Sequence, residues 1–162
     1  WDRMRYDDRK INLVVDELVD EFRSLADEDP RVKYDEYPFI LAAGERRSST
    51  ANTAMRDPEW RRKHPTTGLR LHPDDAASLE VEDGAKIRIV TKAGEAISNV
   101  EISDSMMPGM VSLPNGQGLS WPGADADTDL GVYLNELTSV EDRDWFAGTP
   151  HHKHVRARLE KV

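Results

Sequence analysis

The sequence predicts a mainly β protein with short helices, and the arrangement it favours is a compact β-barrel. The clearest observation is a hairpin over residues 86–104, where Ile87 and Ile89 recur at alternate positions and Gly94 lies in the turn. The second is the segment 153–162, in which apolar and basic residues alternate as in a final strand. The third is that the other candidate strands are short and are separated by long loops, which is typical of small barrels.

The remaining elements are predicted from turn residues and apolar runs. The run "PFILAAG" (38–44) has strand length and no polar residue, so it predicts a strand buried on both faces. The others, in chain order, are a short helix over 72–81 with Pro73 in its first turn, a type II turn at Met107-Pro108-Gly109, a strand over 110–114 and a glycine-containing loop over 115–129.

The pattern of residues 1–36 predicts a segment separate from the barrel. Residues 10–25 place apolar side chains at helical spacing and predict an amphipathic helix with an acidic outer face. Pro30 breaks this pattern, and we place the domain boundary after residue 36. The chain begins without methionine, so we expect residues 1–36 to be a helical connection from missing upstream domains and residues 37–162 to be the barrel.

Composition excludes several classes of protein. The net charge of −9 argues against nucleic-acid binding, because phosphate backbones require a basic face. The absence of cysteine excludes disulfides, thiolate nucleophiles and cysteine-bound metal centres within these 162 residues. No run of 18 apolar residues is present, which predicts no membrane span, and our expectation for location is cytoplasmic.

The stretch from Gly44 to Arg70 differs in charge from the rest of the chain. It contains seven basic and three acidic side chains, a net charge of +4 against −13 elsewhere. Arginines mixed with hydroxyl and amide groups are suited to a phosphate-bearing ligand. The alternative is a solvated loop whose arginines pair with surface carboxylates, and composition alone leaves both open.

A second candidate loop is "NGQG", Asn115 to Gly118, directly after a predicted strand. Glycine lets a backbone approach a ligand closely, and the amides of Asn115 and Gln117 could bind the donor and acceptor edge of a heterocycle. An ordinary turn is the alternative.

Two further patterns resemble metal-binding motifs but are weaker evidence for a site than the two candidate loops. Asp125, Asp127, Asp129 and Glu136 match calcium-loop spacing, but Leu130 occupies the position that requires glycine. His151, His152 and His154 are clustered, and two of them at i, i+2 on a strand could share one face. No third ligand lies at a suitable spacing from such a pair, so we expect exposed histidines near the final strand.

Taken in order, several stretches resemble one known family. They are "GERRSSTANTAMRDPEWRR", "LRLHPDDAASLEVEDGAKIRIVTKAGEA", "MPGMVSLPNGQG", "NELT" and "GTPHHKHVRARLE". Together they resemble the carboxy-terminal cofactor-binding domain of molybdopterin oxidoreductases of the dimethyl sulfoxide reductase family, most of all formate dehydrogenase alpha-type subunits. The resemblance extends from about Tyr37 to Val162.

The resemblance implies a double-psi β-barrel that closes over a molybdenum bis(molybdopterin guanine dinucleotide) cofactor. It implies contacts to the pterin and phosphates from the first loop, to the dinucleotide from "NGQG", and to the pterin from "NELT" and "TPHHKH". The implied cofactor-binding residues are Gly44, Glu45, Arg46, Ser48, Ser49, Asn52, Asn115, Gly116, Gln117, Gly118, Asn135 and Lys153. A lysine beside a polyanionic cofactor would offset its charge and tune the metal.

The chain departs from the family pattern in one loop. Many relatives have a histidine where this chain has Ser48 to Asn52. In the family the molybdenum ligand and the iron–sulfur cysteines lie upstream, so no catalytic residue or metal ligand is expected in this chain. The isolated chain is expected to be inactive, with the rest of the same polypeptide and electron-transfer subunits as partners. The alternative functions are a stand-alone regulatory or protein-binding barrel and a calcium-binding module.

Overall fold

The structure is a computed structural model that describes residues 6–27, 36–45, 67–120, 122 and 130–162. The chain divides into two compact units, residues 1–32 and 33–162. No helix in the described part of the chain is long and apolar enough to cross a membrane.

The helix of the first unit is shorter than the sequence predicts. Helix α1 spans Asp16–Ser24 and continues into a 3-10 turn at Leu25–Asp27, whereas the predicted helix begins at residue 10. Val15 is extended, and the Asn12 side chain accepts a hydrogen bond from the Val14 backbone at 3.1 Å. This local bond competes with helix formation, and the acidic residues that follow Val15 favour a helix start there.

The described residues of the second unit form a closed barrel of six strands, which confirms the predicted β-barrel. The strands are β1 (Phe39–Glu45), β2 (Leu69–Leu71), β3 (Lys86–Thr91), β4 (Glu95–Ile102), β5 (Met110–Pro114) and β6 (Val155–Lys161). Around the barrel the order is β1-β5-β2-β4-β3-β6, and β6 returns to β1. The pairs β1·β5 and β2·β4 are parallel, and the other four pairs are antiparallel.

Alternate residues of the strands point into one apolar core. Ile87 and Ile89 of β3 are fully buried, as the hairpin pattern predicts, and the final strand β6 buries alternate residues in the same way. The prediction for β1 is wrong in one respect, because Ile40 and Ala42 are only partly buried. A barrel has a single interior, so a strand that is apolar throughout still buries only every second side chain completely.

The predicted turns are confirmed. In the type II turn, Met110 N donates to Met107 O at 3.0 Å, and Gly109 has φ +80°. Helix α2 spans Pro73–Ser78, with the imidazole of His72 accepting from Asp74 N at 3.1 Å at its amino end. These caps and turns set the ends of the short strands.

We expect Leu41→Ala to lower the free energy of unfolding by about 2–5 kcal/mol, because Leu41 is fully buried and truncation leaves a cavity. Ile97→Ala on β4 is the control, since Ile97 is exposed and its loss should cost under about 0.5 kcal/mol. Urea denaturation of both variants measures the difference, and equal losses would show that the barrel interior is not the main core.

Candidate functional site

The parallel pair β1·β5 brings two predicted loops to one edge of the barrel. The pairing runs from Ile40↔Met110 to Glu45↔Pro114, with a register shift between Ala43 and Glu45. Parallel strands end at the same edge, so the chain that follows each strand leaves from that edge. Asn115 N donates to Glu45 O at 3.2 Å and ties the start of "NGQG" to the end of β1.

Gly44 is the point at which the predicted segments meet. A Cβ placed on Gly44 would lie 3.6 Å from Asn115 Cβ, 3.7 Å from Leu134 Cδ1 and 3.7 Å from Lys153 Nζ. The Lys153 ammonium donates to Gly44 O at 2.5 Å, and Ala43 N donates to His152 O at 2.8 Å. The structure therefore brings "NGQG", "TPHHKH" and Leu134, the residue before "NELT", together around the end of β1.

Two side-chain oxygens in this cluster have no hydrogen-bond partner among the described residues. They are Asn115 Oδ1 and Gln117 Oε1, both buried. The Gln117 side chain is only 4% exposed, and its Cβ lies 2.9 Å from where a Cβ on Gly131 would be. An unpaired buried acceptor costs about 1–3 kcal/mol, so the arrangement favours a ligand that supplies N–H or O–H donors.

The second glycine of "NGQG" allows close contact between backbones. Gly118 has φ +84°, and a Cβ there would lie 2.5 Å from Tyr133 N and 2.7 Å from Tyr133 Cα. Gly118 N donates to Leu130 O at 2.7 Å, and Gly116 also has positive φ, +76°. The sequence predicts that these glycines let a backbone approach a ligand closely. At Gly118 the close approach observed is to the protein's own backbone.

The "NELT" segment is held against the β3–β4 hairpin. Thr91 Oγ1 donates to the carbonyl of the fully buried Leu137 at 3.0 Å. A Cβ on Gly94 would lie 2.5 Å from Glu136 O, so the hairpin turn packs directly on this backbone. Asn135 itself is exposed, and its Nδ2 donates to Tyr133 Oη at 3.1 Å.

Glu45 takes part in an ion-pair network across the barrel wall. Its carboxylate accepts from Arg70 Nη1 at 2.5 Å and from Ser112 Oγ at 2.8 Å, and Arg70 Nε donates to Glu101 at 2.7 Å. Burial on its own lowers the pKa of Arg70, but the hydrogen bond to Glu101 and the attraction of Glu45 outweigh burial, so the pKa is raised. Arg70 therefore stays charged and links its own strand β2 to both β4 and β1.

The predicted site residues are thus only partly covered by the structure. Arg46, Ser48, Ser49 and Asn52 lie outside the described residues. Gly44, Asn115 and Lys153 meet directly, and Gln117 and Gly118 follow Asn115 along the same loop. Sequence reasoning missed four residues that surround this cluster. Gly131 and Tyr133 lie against Gln117 and Gly118, Thr67 lies against Gly131, and Leu134 lies against Gly44. Of these residues, only Gly131 could have been suspected from the sequence, because it is a glycine close to the glycine-containing loop 115–129.

The metal-like patterns gain no support. The described residues contain no group of three His, Asp or Glu side chains placed to hold a metal ion. All three clustered histidines are exposed and precede β6, and His151 Nδ1 lies 3.6 Å from Asp142 Oδ1. Of the calcium pattern, Glu136 lies in a 3-10 turn, and Asp125, Asp127 and Asp129 lie outside the described residues.

Comparison with known families decides which family this chain is part of. The family model described as "Molydopterin dinucleotide binding domain" matches residues 39–156, well over half of the chain. The chain belongs to this family. The matched range includes β1, the "NGQG" loop and Lys153, which the fold brings together.

Relatives of this molybdopterin dinucleotide-binding domain are large oxidoreductases. A tetrathionate reductase chain of Salmonella typhimurium is 21% identical over 83% of this chain and 15% of its own length. Dimethyl sulfoxide reductase DmsA of Escherichia coli is 32% identical over 57% of the chain and 11% of its own length. A Staphylococcus aureus protein named "Putative formate dehydrogenase" is 26% identical over 68% of the chain and 11% of its own length. The chain thus spans a small part of these relatives.

A solved structure shares the fold. Acetylene hydratase from Pelobacter acetylenicus superimposes with a TM-score of 0.68 and 22% identity over 86% of this chain and 20% of that one. The closed six-stranded barrel is the double-psi β-barrel that the resemblance implies.

The described residues fit a molybdopterin dinucleotide. Such a molecule carries a heterocycle with N–H groups at each end and anionic phosphates between them. Asn115 and Gln117 present buried acceptors without partners in the described part of the chain, which suit the N–H groups. Among the described residues, the Lys153 ammonium is bonded to a neutral carbonyl and to no carboxylate, which leaves its charge for a phosphate or pterin.

We expect Gly118→Ala to destabilise the chain more than Gly148→Ala. Both glycines have positive φ, +84° and +67°, but a Cβ on Gly148 meets no described atom within 4 Å, whereas one on Gly118 overlaps the Tyr133 backbone. The difference in the free energy of unfolding should be about 1–3 kcal/mol, measured by urea denaturation. Equal losses of unfolding free energy in the two variants would mean that the positive φ alone, and not the contact with Tyr133, requires glycine at position 118.

We expect Arg70→Met to lower the free energy of unfolding by about 1.5–3 kcal/mol, since it removes charge-assisted bonds to Glu45 and Glu101. Arg88→Met is the matched control, because Arg88 pairs with Glu95 at 3.0 Å on the surface and should contribute under about 1 kcal/mol. Denaturation at neutral pH and low salt compares them, and an equally small loss for both would contradict a structural role for Arg70.

Proposed function

We propose that this chain is the cofactor-binding carboxy-terminal domain of a molybdenum-dependent oxidoreductase and that it holds bis(molybdopterin guanine dinucleotide). The observation that carries the proposal is the pair of buried oxygens of Asn115 and Gln117, which have no partner among the described residues. They lie on the loop whose first residue, Asn115, meets Lys153 at the edge where β1 and β5 end. Family membership makes a molybdopterin dinucleotide the ligand whose chemistry these groups match.

Each group has a definite task in this proposal. The oxygens of Asn115 and Gln117 accept hydrogen bonds from heterocycle N–H groups and so orient the ring. Lys153, kept in place by its bond to Gly44 O, offsets negative charge on the cofactor. When bound, the molybdenum centre supplies two-electron chemistry, and this domain buries and orients it.

The specificity we propose is formate dehydrogenase-like. The staphylococcal relative's name and the sequence resemblance support this choice, although two other relatives are reductases of tetrathionate and dimethyl sulfoxide. In this proposal the molybdenum ligand and the iron–sulfur cysteines belong to other parts of a longer protein, and electron-transfer subunits are its partners. The isolated chain should therefore bind without turnover.

A protein-binding role is the second candidate, and a surface feature favours it. Trp145 and Phe146 are exposed and pack edge to face, with ring centroids 5.5 Å apart. Exposed aromatic pairs are common where proteins bind partners. Unlike the first proposal, a binding module gives no reason for unpartnered acceptors at Asn115 and Gln117.

The test is a titration of the ¹⁵N-labelled chain with GDP, which combines guanine with a pyrophosphate. We expect millimolar GDP to shift the side-chain amide signals of Asn115 and Gln117 more than CDP does. If GDP leaves the side-chain amide signals of both Asn115 and Gln117 unshifted, the proposal is wrong. If CDP shifts these signals as much as GDP does, the part of the proposal that specifies guanine is wrong.

Gln117→Met should separate ligand binding from folding. It removes a buried acceptor that has no partner in the described part of the chain, so the free energy of unfolding should rise by about 1 kcal/mol, while GDP affinity falls by about 2- to 10-fold. Asn12→Met, an exposed amide in residues 6–27, should leave GDP affinity unchanged. A Gln117→Met chain that is destabilised and binds GDP normally would show that Gln117 serves the fold alone.

A further inference from the structure

Tyr133 carries a partly exposed aromatic ring on the segment that packs against the loop of the unpartnered amides. Its side chain is 42% exposed, while its backbone lies against Gly118, the residue that follows Gln117. A large aromatic side chain beside buried polar groups is a common way to contact a planar ligand, because the ring supplies a face and the amides supply the edge contacts.

The phenol of Tyr133 is oriented before any ligand binds. Asn135 Nδ2 donates to Tyr133 Oη at 3.1 Å. The two residues lie on one segment, so the bond restricts the ring relative to its own backbone. This bond uses one N–H group of the Asn135 amide to hold the tyrosine hydroxyl.

The segment that carries both residues is anchored from three sides. Gly118 packs on the Tyr133 backbone, Leu134 reaches Gly44, and the carbonyl of the fully buried Leu137 accepts from Thr91. A surface held in place before binding loses less conformational entropy when the ligand arrives. The hairpin turn at Thr91 thus supports the segment from which the Tyr133 ring projects.

We propose that Tyr133 stacks on the planar heterocycle of the ligand and that Asn135 is a positioning residue for its ring. This inference rests on the proposed function, and it changes the role of Asn135 from a cofactor contact to a support for Tyr133. Tyr133 is the ligand-contacting residue of "VYLNE", and Asn135 acts through it.

The experiment compares GDP and inorganic pyrophosphate binding to the ¹⁵N-labelled chain and its variants. Tyr133→Leu should weaken GDP binding roughly 5- to 150-fold, as expected for loss of a base–aromatic stack, and leave pyrophosphate affinity unchanged. Tyr133→Phe and Asn135→Ala should each weaken GDP about 2- to 5-fold, because the ring remains but loses its hydrogen bond. Phe146→Leu, an exposed aromatic paired with Trp145, should change neither affinity.

A second readout reports the stack itself. The ring current of Tyr133 should move the H8 proton of bound GDP upfield in the wild type and in Tyr133→Phe, and Tyr133→Leu should abolish that shift. If Tyr133→Leu fails to fold, Tyr133→Phe and Asn135→Ala decide, and unchanged GDP affinity in both overturns the proposal.

The outcomes also separate this inference from the proposed function. GDP that shifts the amides of Asn115 and Gln117 equally in the wild type and in Tyr133→Leu, at equal affinity, overturns the stack and leaves the proposed function standing. A wild-type chain in which GDP shifts neither amide overturns both.

Discussion

The two different neighbours of β1 are the constraint on which the candidate site depends. On one side β1 pairs in parallel with β5, and on the other it pairs antiparallel with β6. The carboxyl end of β1 therefore lies beside the carboxyl end of β5 and the amino end of β6. This geometry places Gly44, Asn115 and Lys153, which are far apart in sequence, around one backbone position. In a barrel of antiparallel hairpins alone, the loops that follow consecutive strands would leave from opposite ends.

Glycine makes this convergence sterically feasible. The Gly44 bulge leaves room in which Asn115, Leu134 and Lys153 come within 3.7 Å of a single missing Cβ. Gly118 and Gly94 let two other backbones reach the 133–137 segment. The barrel interior, by contrast, is filled by fully buried aliphatic side chains such as Leu41 and Ile89. The core stabilises the fold, and the edge where β1 and β5 end carries polar oxygens whose desolvation cost a ligand would remove.

Local patterns predict the local features and miss those that depend on long-range pairing. The hairpin, the type II turn and the final strand follow from alternation and turn residues over a few positions, and all three are present. The predicted start of α1 is too early, because periodicity counts apolar residues that a local Asn12 bond holds out of the helix. The partial exposure of Ile40 and Ala42 follows from closure of the sheet into a barrel with a single interior. The contact of Tyr133 with Gly118 joins two loops that are distant in sequence, and sequence spacing does not contain that information. The meeting of "NGQG" with "TPHHKH" is expected only from the family resemblance.

Arg70 compensates the negative charge of Glu45 at the end of β1, where the proposed function places an anionic ligand. An uncompensated carboxylate there would repel phosphates. Arg70 and Ser112 bind that carboxylate within the barrel wall, and the raised pKa of Arg70 keeps the guanidinium charged. Because the pair takes one charge of each sign from residues 44–70, the net charge of +4 in that stretch is unchanged. The ion pair joins β1 to β2, the strands that contain the two ends of the stretch, so one interaction both links those ends and compensates the charge of the Glu45 carboxylate.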